Sequence, residues 1–301
     1  MSGKKSRTGK IDSVQKKELR RWRNLDWPEK FEDDDIDFVS QRKIVIIGGC
    51  GRSGSTILRV MLDTHSQIAS GPESLLFLPV PINPEDLESR FEISSKRLRE
   101  WARKYGRWEF IIRFQKVYLA KRKRSLWADK TSRNVHRFGA ILRHFPNAKL
   151  LHIVRDARDV VASLRTHPKR RIVDGKIEET GIVNPFEDCL ERWLCAISDG
   201  FKYRDHSNYL EVRYEDLVSE TESTLMGVCR HIGIEYEPSM LNFYQQKGGS
   251  RDPLRFPQNI EATLPIFKSS IGRWRKDLTS REATIVVRKA KPFLEKLGYK
   301  I

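Results

Sequence analysis

An α/β fold, with a central parallel sheet flanked by helices, is what this 301-residue sequence predicts. Three observations predict it. The first is Lys43 to His65: a run of β-branched apolar residues ending at Ile47 meets the glycine-rich turn Gly48-Gly49-Cys50-Gly51-Arg52-Ser53-Gly54, and Ser55-Thr56 then open a stretch with Ile57, Leu58, Met61 and Leu62 at helical spacing. The second is Lys149 to Val154, KLLHIV, a second buried-strand run, followed by Arg155-Asp156 and a helical span beginning at Val160. The third is the alternation of strand-like and helix-like segments over the rest of the chain, without internal repeats. Strands joined by crossover helices build parallel sheets covered on both faces, and ligands of such sheets sit at the carboxyl ends of the strands.

In chain order, residues 1–24 carry nine Lys and Arg against Asp12 and Glu18, and the acidic block Asp33-Asp34-Asp35 follows. Residues 1–40 read as a basic, flexible extension that Leu19, Trp22 and Leu25 could anchor, and residues 41–301 as one domain. After the first strand and helix, Ile68 to Ser70 reads as a short strand ending at Gly71-Pro72-Glu73. Residues 95–121 read as helical. Ser125 to Ala128 reads as a strand entering Asp129-Lys130-Thr131, and Val135 to His144 as a helix stopped by Pro146. Beyond KLLHIV, residues 186–204 read as a helix around Trp193 and Phe201. Tyr209 to Val212 reads as a strand leading into Tyr214-Glu215-Asp216-Leu217, and Ser280 to Leu297 as a closing helix.

The balance of 57 Lys and Arg against 40 Asp and Glu, net +17, favours anionic partners. No run approaches the ~18 apolar residues of a membrane span, and the N-terminus shows no apolar signal-peptide core. The four cysteines, Cys50, Cys189, Cys195 and Cys229, lack metal or redox spacing, which fits a reducing cytoplasm. The expectation is a cytoplasmic protein with no metal site and no specific nucleic-acid partner. Its basic tail is suited to peripheral contact with an acidic membrane or polyanion, and a homodimer is compatible with the chain.

The glycine turn is an anion cradle. Glycines let backbone N–H groups approach phosphate oxygens, and the N–H groups and dipole of the following helix favour negative charge. Gly49, Gly54 and Thr56 match most of G-x-x-x-x-G-K-[ST], but Ser55 stands at the lysine. That lysine normally reaches the terminal phosphates, so its absence argues against a nucleoside triphosphatase, and Arg52 supplies a cation earlier in the loop.

Taken together, these motifs resemble the sulfotransferases that use 3′-phosphoadenosine 5′-phosphosulfate (PAPS), overall most like the tyrosylprotein and bacterial branch. Gly51-Arg52-Ser53-Gly54-Ser55-Thr56 is similar to that family's P-[RK]-[ST]-G-[ST]-[ST] loop, with Gly51 in the place of proline. Arg155 and Ser163, in HIVRDARDVVASL, match its strand-end arginine and the serine eight residues on. Val212 to Leu217 reproduces V-R-Y-E-D-L, and Lys268 to Leu278, KSSIGRWRKDL, is similar to the loop over the 3′-phosphate. The resemblance covers about residues 43–280, with four motifs in the expected order.

It implies a P-loop-NTPase-like sulfotransferase fold and in-line transfer of a sulfuryl group from PAPS to an acceptor hydroxyl on a carbohydrate, lipid, small molecule or peptide tyrosine. The product would be 3′-phosphoadenosine 5′-phosphate (PAP). It also implies roles for particular residues. Ser53, Gly54, Ser55 and Thr56, with Arg52, would hold the 5′-phosphosulfate; Arg155, Ser163, Lys268 and Arg273 the 3′-phosphate; and Tyr214 would touch the cofactor. Glu73 would be the general base, and Lys130 and Arg52 would stabilise charge on the leaving oxygen.

Plainer roles stand beside these. Arg155 could pair with Asp156 or Asp159, Glu73 could cap the next helix, Lys130 could pair with Asp129, and His65 is a lesser base candidate with a helix-end role. The rival functions are a P-loop-type kinase or nucleotide-binding protein, and a non-catalytic polyanion-binding protein that works through the tail.

Overall fold

The sheet is built around β1 (Val45–Gly49), which is buried along its whole length. A computed structural model describes residues 37–166, 170–173, 176–179, 181, 183–246 and 257–301. The tail reading for residues 1–36, with Leu19, Trp22 and Leu25, lies outside the described residues. Phe38 and Ser40 already lie against the domain: the Phe38 carbonyl contacts His144 Nδ1 at 2.7 Å, and the Ser40 N–H donates to the His144 carbonyl at 2.8 Å.

From β1 the chain runs through α1 (Ser55–Leu62), β2 (Ile68–Ala69), α2 (Pro84–Phe91), α3 (Ser95–Lys104), α4 (Arg107–Arg122) and β3 (Leu126–Lys130). A 3₁₀ turn (Ser132–Arg137) leads into α5 (Phe138–His144), then β4 (Lys149–Val154) and α6 (Ala157–Thr166). After an antiparallel ribbon of β5 (Arg170–Val173) and β6 (Lys176–Glu179) come α7 (Phe186–Phe201), β7 (Tyr209–Arg213), α8 (Tyr214–Ser219) and α9 (Thr221–Ile232). Two further 3₁₀ segments (Pro238–Gln245 and Pro257–Thr263), α10 (Trp274–Asp277) and α11 (Ser280–Lys296) follow.

The main sheet is parallel, in the order β2-β3-β1-β4-β7. Ile47 pairs with Lys130, Gly49 with Ile153, and Val154 with Arg213. This register brings the carboxyl ends of β3, β1, β4 and β7 to one edge. Side chains alternate across it as strand geometry requires. Ile44 and Ile46 enter one core with residues of α4, α6, α7 and α11, while Val45 and Ile47 enter the other with α1 and α9. Each fully buried aliphatic side chain contributes roughly 1.5–3 kcal/mol, so the two cores clamp the strand that carries the glycine turn.

The α/β reading holds, with local differences. The helical span 95–121 is two helices separated at Gly106, whose backbone is extended (φ −63°, ψ 165°). The shifting apolar faces of that span belong to two helices that bury different sets, Leu98 from α3 and Trp108, Phe110, Ile111 and Phe114 from α4. The helix read from Val135 starts as a 3₁₀ turn because it is pressed against β1: a Cβ on Gly48 would lie 2.6 Å from the Val135 nitrogen. Helix α2, with Asn83 accepting the Asp86 N–H at 3.0 Å and Pro84 in its first turn, went unread, as did α9 and the β5–β6 ribbon. No helix among the described residues is long and apolar enough to cross a membrane.

Candidate functional site

The turn after β1 is held in a shape that few sequences can adopt. Arg52 has φ 71° and Gly54 has φ 94°, both left-handed. A Cβ on Gly54 would meet the Tyr214 ring at 2.4 Å, so glycine is required for closeness as well as conformation. The turn delivers Gly54, Ser55 and Thr56 to a cleft that Arg52, Arg155, Ser163, Tyr214, Glu261, Phe267, Ser270 and Arg273 also line. Ser53 is buried just behind, and its Oγ has no hydrogen-bond partner among the described residues.

Arg155 follows the last residue of β4 and spans the cleft wall. Its Nη1 donates to the Arg52 carbonyl at 3.1 Å, its Nη2 donates to the Ser270 carbonyl, and its guanidinium lies 4.4 Å above the Tyr214 ring. The salt bridges weighed for it do not form: Asp156 pairs with Arg158, and Asp159 accepts the N–H groups of Gly272 (2.7 Å) and Trp274 (3.0 Å). Asp159 therefore docks the C-terminal segment onto α6, and burial raises its pKa in spite of those two N–H bonds. Ser163 shares the cleft with Arg155, but its hydroxyl accepts from Arg52 Nε at 3.2 Å instead.

Arg52 also donates to Glu261 at 3.0 Å. Burial lowers the Arg52 pKa, and Arg155 and Arg273 add to this while Glu261 opposes it. Arg273 is held by Asp277 (2.7 Å) and by Thr166 Oγ1 (2.9 Å). Lys268 is exposed and does not line the cleft.

Next to the cleft stands a second group. Glu73, beyond β2, and Lys130, the last residue of β3, form an ion pair at 3.0 Å. Glu73 Oε1 also accepts the N–H of Ser132 at 3.4 Å and its hydroxyl at 3.2 Å. The Ser132 hydroxyl lies 3.2 Å from that of Ser55, which joins this group to the cleft. Burial would raise the Glu73 pKa, but the Lys130 charge and the hydrogen bonds from Lys130 and Ser132 outweigh it and hold the carboxyl below its ordinary value. Glu73 caps no helix in the segment after it, where Asn83 does that work. Asp129 does not hold Lys130: it is buried, accepts from Asn134 at 2.8 Å, and is pushed up to about 6.

His65 sits at the opposite end of α1 from the cleft, a rise of about 12 Å over eight residues. Its Nδ1 accepts the Gln67 N–H at 3.0 Å, so Nε2 carries the proton that it donates to the Glu235 carbonyl at 2.8 Å. That is the helix-end role.

Comparison with known proteins places this geometry. Residues 45–238 match the model of a family described as the sulfotransferase family. The chain is 26% identical over 277 residues to protein-tyrosine sulfotransferase A of Caenorhabditis elegans, covering 85% of this chain and 67% of that protein. It is 27% identical to protein-tyrosine sulfotransferase 2 of Gallus gallus, covering 87% and 71%. Among solved structures, the sulfotransferase domain of the Synechococcus PCC 7002 olefin synthase shares its fold with a TM-score of 0.65 at 20% identity, over 88% of this chain and 98% of that one. The sulfotransferase domain from the curacin biosynthetic pathway does so with a TM-score of 0.62 at 18% identity, over 87% and 100%.

Proposed function

The chain belongs to the sulfotransferase family and is a sulfotransferase, and on that premise we propose that its donor is PAPS, its acceptor a hydroxyl, and its general base Glu73. The observation that carries this reading is the continuity of an anion cleft with a carboxylate–ammonium pair through Ser55, a residue that belongs to both. The cleft fits a donor with phosphates at two ends. The glycine turn, the unpartnered Ser53 hydroxyl and the buried Arg155 Nε, also without a partner among the described residues, are groups that an anionic oxygen would satisfy. Bound there, the donor supplies an activated sulfuryl group.

Arg52, Ser53, Gly54, Ser55 and Thr56 would hold its phosphosulfate end. Arg155, Ser163 and Arg273 would hold the 3′-phosphate, with Lys268 able to join from the surface, and Tyr214 would back the nucleotide side. The Glu73 carboxylate takes the proton of the acceptor hydroxyl as the oxygen attacks. Lys130 stabilises charge that develops on the leaving oxygen, as an amine held beside a reacting group does. The names of the curated relatives support a tyrosine hydroxyl as one acceptor; carbohydrate, lipid and small-molecule hydroxyls stand beside it. A kinase reading gains nothing from a loop with Ser55 at the lysine position.

Calorimetric titration tests the donor: PAP should bind more tightly than ADP or AMP, and equal affinity for PAP and AMP would remove the 3′-phosphate assignment. Turnover of Glu73→Gln tests the base, with a loss on the order of 10²-fold or more expected while PAP binding is kept.

A further inference from the structure

We propose that Ser132 is a positioning residue for Glu73, and that through Ser55 it couples the base to the anion loop. The inference deepens the reading of Glu73 as the base and rests on it. The direction of the chain follows from proton counting. A serine hydroxyl has one proton. Donating it to Glu73 Oε1 at 3.2 Å, Ser132 Oγ meets the Ser55 hydroxyl at 3.2 Å as an acceptor, so the order runs Ser55 to Ser132 to Glu73.

Ser132 is itself fixed. It follows Thr131, which is fully buried and whose Oγ1 accepts the Leu75 N–H at 3.3 Å. The turn is closed by the Asn134 N–H on the Thr131 carbonyl at 2.8 Å, and by the Asn134 side chain on Asp129 at 2.8 Å. The other side of the contact is equally held, with the Glu73 carbonyl on Arg90 Nη1 at 2.9 Å and Leu75 turned to φ 60°.

Coupling follows from polarisation along such a chain, where each hydrogen bond strengthens the next. An anionic oxygen in the cleft competes for the Ser55 proton. Ser132 then accepts nothing, donates more weakly to Glu73, and leaves the carboxylate more basic once the donor is in place. Before that, Ser132 and Lys130 together restrain it.

The test is the pH dependence of kcat/KM for the acceptor. The charged groups facing Glu73 are Lys130 and Asp129 from β3 and Arg90 from α2. Asp129 titrates nearby but makes no bond to Ser132, so substitution of the serine leaves it in place. Ser132→Ala removes one hydrogen bond to the carboxylate, so the acid limb should move up by about one pH unit. The plateau kcat should fall about tenfold once the carboxylate is held only by Lys130 and the backbone N–H of residue 132. PAP affinity should not fall, since Ser132 does not line the cleft and its loss only frees the Ser55 hydroxyl for the anion. Ser132→Thr should restore the limb. Ser132→Cys, close in volume and a weak donor, gives the same reading if the alanine variant does not fold.

An unmoved acid limb, or PAP affinity falling in step with kcat, would overturn the role of Ser132. If Glu73→Gln is inactive while the Ser132→Ala limb stays fixed, this inference alone fails. If Glu73→Gln turns over normally, the base reading fails first.

Discussion

Replacing Arg155 with alanine should cost the protein both stability and donor affinity, and the two losses have separate origins. The guanidinium makes two charged hydrogen bonds to carbonyls, those of Arg52 and Ser270, each worth roughly 1.5–3 kcal/mol, and a cation–π contact with Tyr214 worth about 0.5–2 kcal/mol. Against that gross gain stands the cost of keeping a guanidinium that is 4% exposed out of water. Both freed carbonyls also face a cleft where water can replace the donor. A net loss of about 2–3 kcal/mol results, or roughly 4–6 °C in Tm for a domain of this size. The bond from Trp193 Nε1 to the Arg155 carbonyl at 2.9 Å survives, so β4 and α7 stay joined and the variant should fold.

Donor affinity falls further because the same group is proposed to face the 3′-phosphate: PAP should bind about 10²-fold more weakly. Arg155→Lys restores charge without the fork that reaches two carbonyls, so it should recover part of the affinity and little of the stability. Calorimetric unfolding and PAP titration on the same samples separate the effects. Lower Tm with parental PAP affinity would make Arg155 a strut alone, and parental values of both would refute the reasoning.

Lys130→Ala should lower kcat by about 10²-fold or more with PAP affinity nearly kept. Because the Lys130 charge helps hold the Glu73 carboxyl low, its loss should also carry the acid limb of the rate profile to higher pH; a drop in PAP affinity matching the drop in rate would make it a ground-state ligand. Asp129→Asn should stabilise the protein in a pH-dependent way. Its folded pKa of about 6 stands above the ordinary 3.8, so the folded state holds the proton more tightly and stability is lost as pH rises from about 4 to 6, by about 3 kcal/mol. The Tm advantage of Asn over Asp should therefore open across that window and level off above it; a flat difference would contradict the burial argument. Gly54→Ala should abolish PAP binding, since the new methyl would lie 2.4 Å from Tyr214 at a left-handed φ; binding retained by titration would show that the turn tolerates the shift. Asp159→Asn should weaken PAP binding several-fold with kcat little changed, because only the docking of Gly272 and Trp274 is loosened; a kcat effect without a binding effect would be the wrong outcome.

Strands β1, β4 and β7 and the anion turn were legible because each writes its chemistry within about ten consecutive residues. The turn needs Gly54 next to the helix start, and Arg155 needs only to follow a buried strand. What escaped depends on partners distant in sequence. Nothing in D-K-T-S marks Ser132 until folding brings it to Ser55, 77 residues away, and Glu261 meets Arg52 across 209 residues. Arg155 and Ser163, expected together on one phosphate, both line the cleft, but the serine hydroxyl is not bonded to Arg155. The left-handed backbone at Arg52 instead delivers its side chain to the serine.

The basic composition reads differently once the contacts around Glu73 are traced. Residues 70–83 approach the site with little regular structure, so their carbonyls need donors from elsewhere. Arginines provide them. Arg59 Nη1 reaches the Ser70 carbonyl at 3.2 Å, Arg90 that of Glu73 at 2.9 Å, and Arg137 Nε that of Phe77 at 3.4 Å. Arg107 bonds two, Leu76 at 2.9 Å and Val80 at 2.6 Å. With Arg155 on the carbonyls of Arg52 and Ser270, the same device braces the opposite wall. A planar guanidinium with five donors suits this work, because it can satisfy two carbonyls at once along an irregular chain. Part of the +17 is thus the internal bracing of the loop that carries the carboxylate, while the cleft cations Arg52, Arg155 and Arg273 and the surface charge are the part placed to draw an anionic partner.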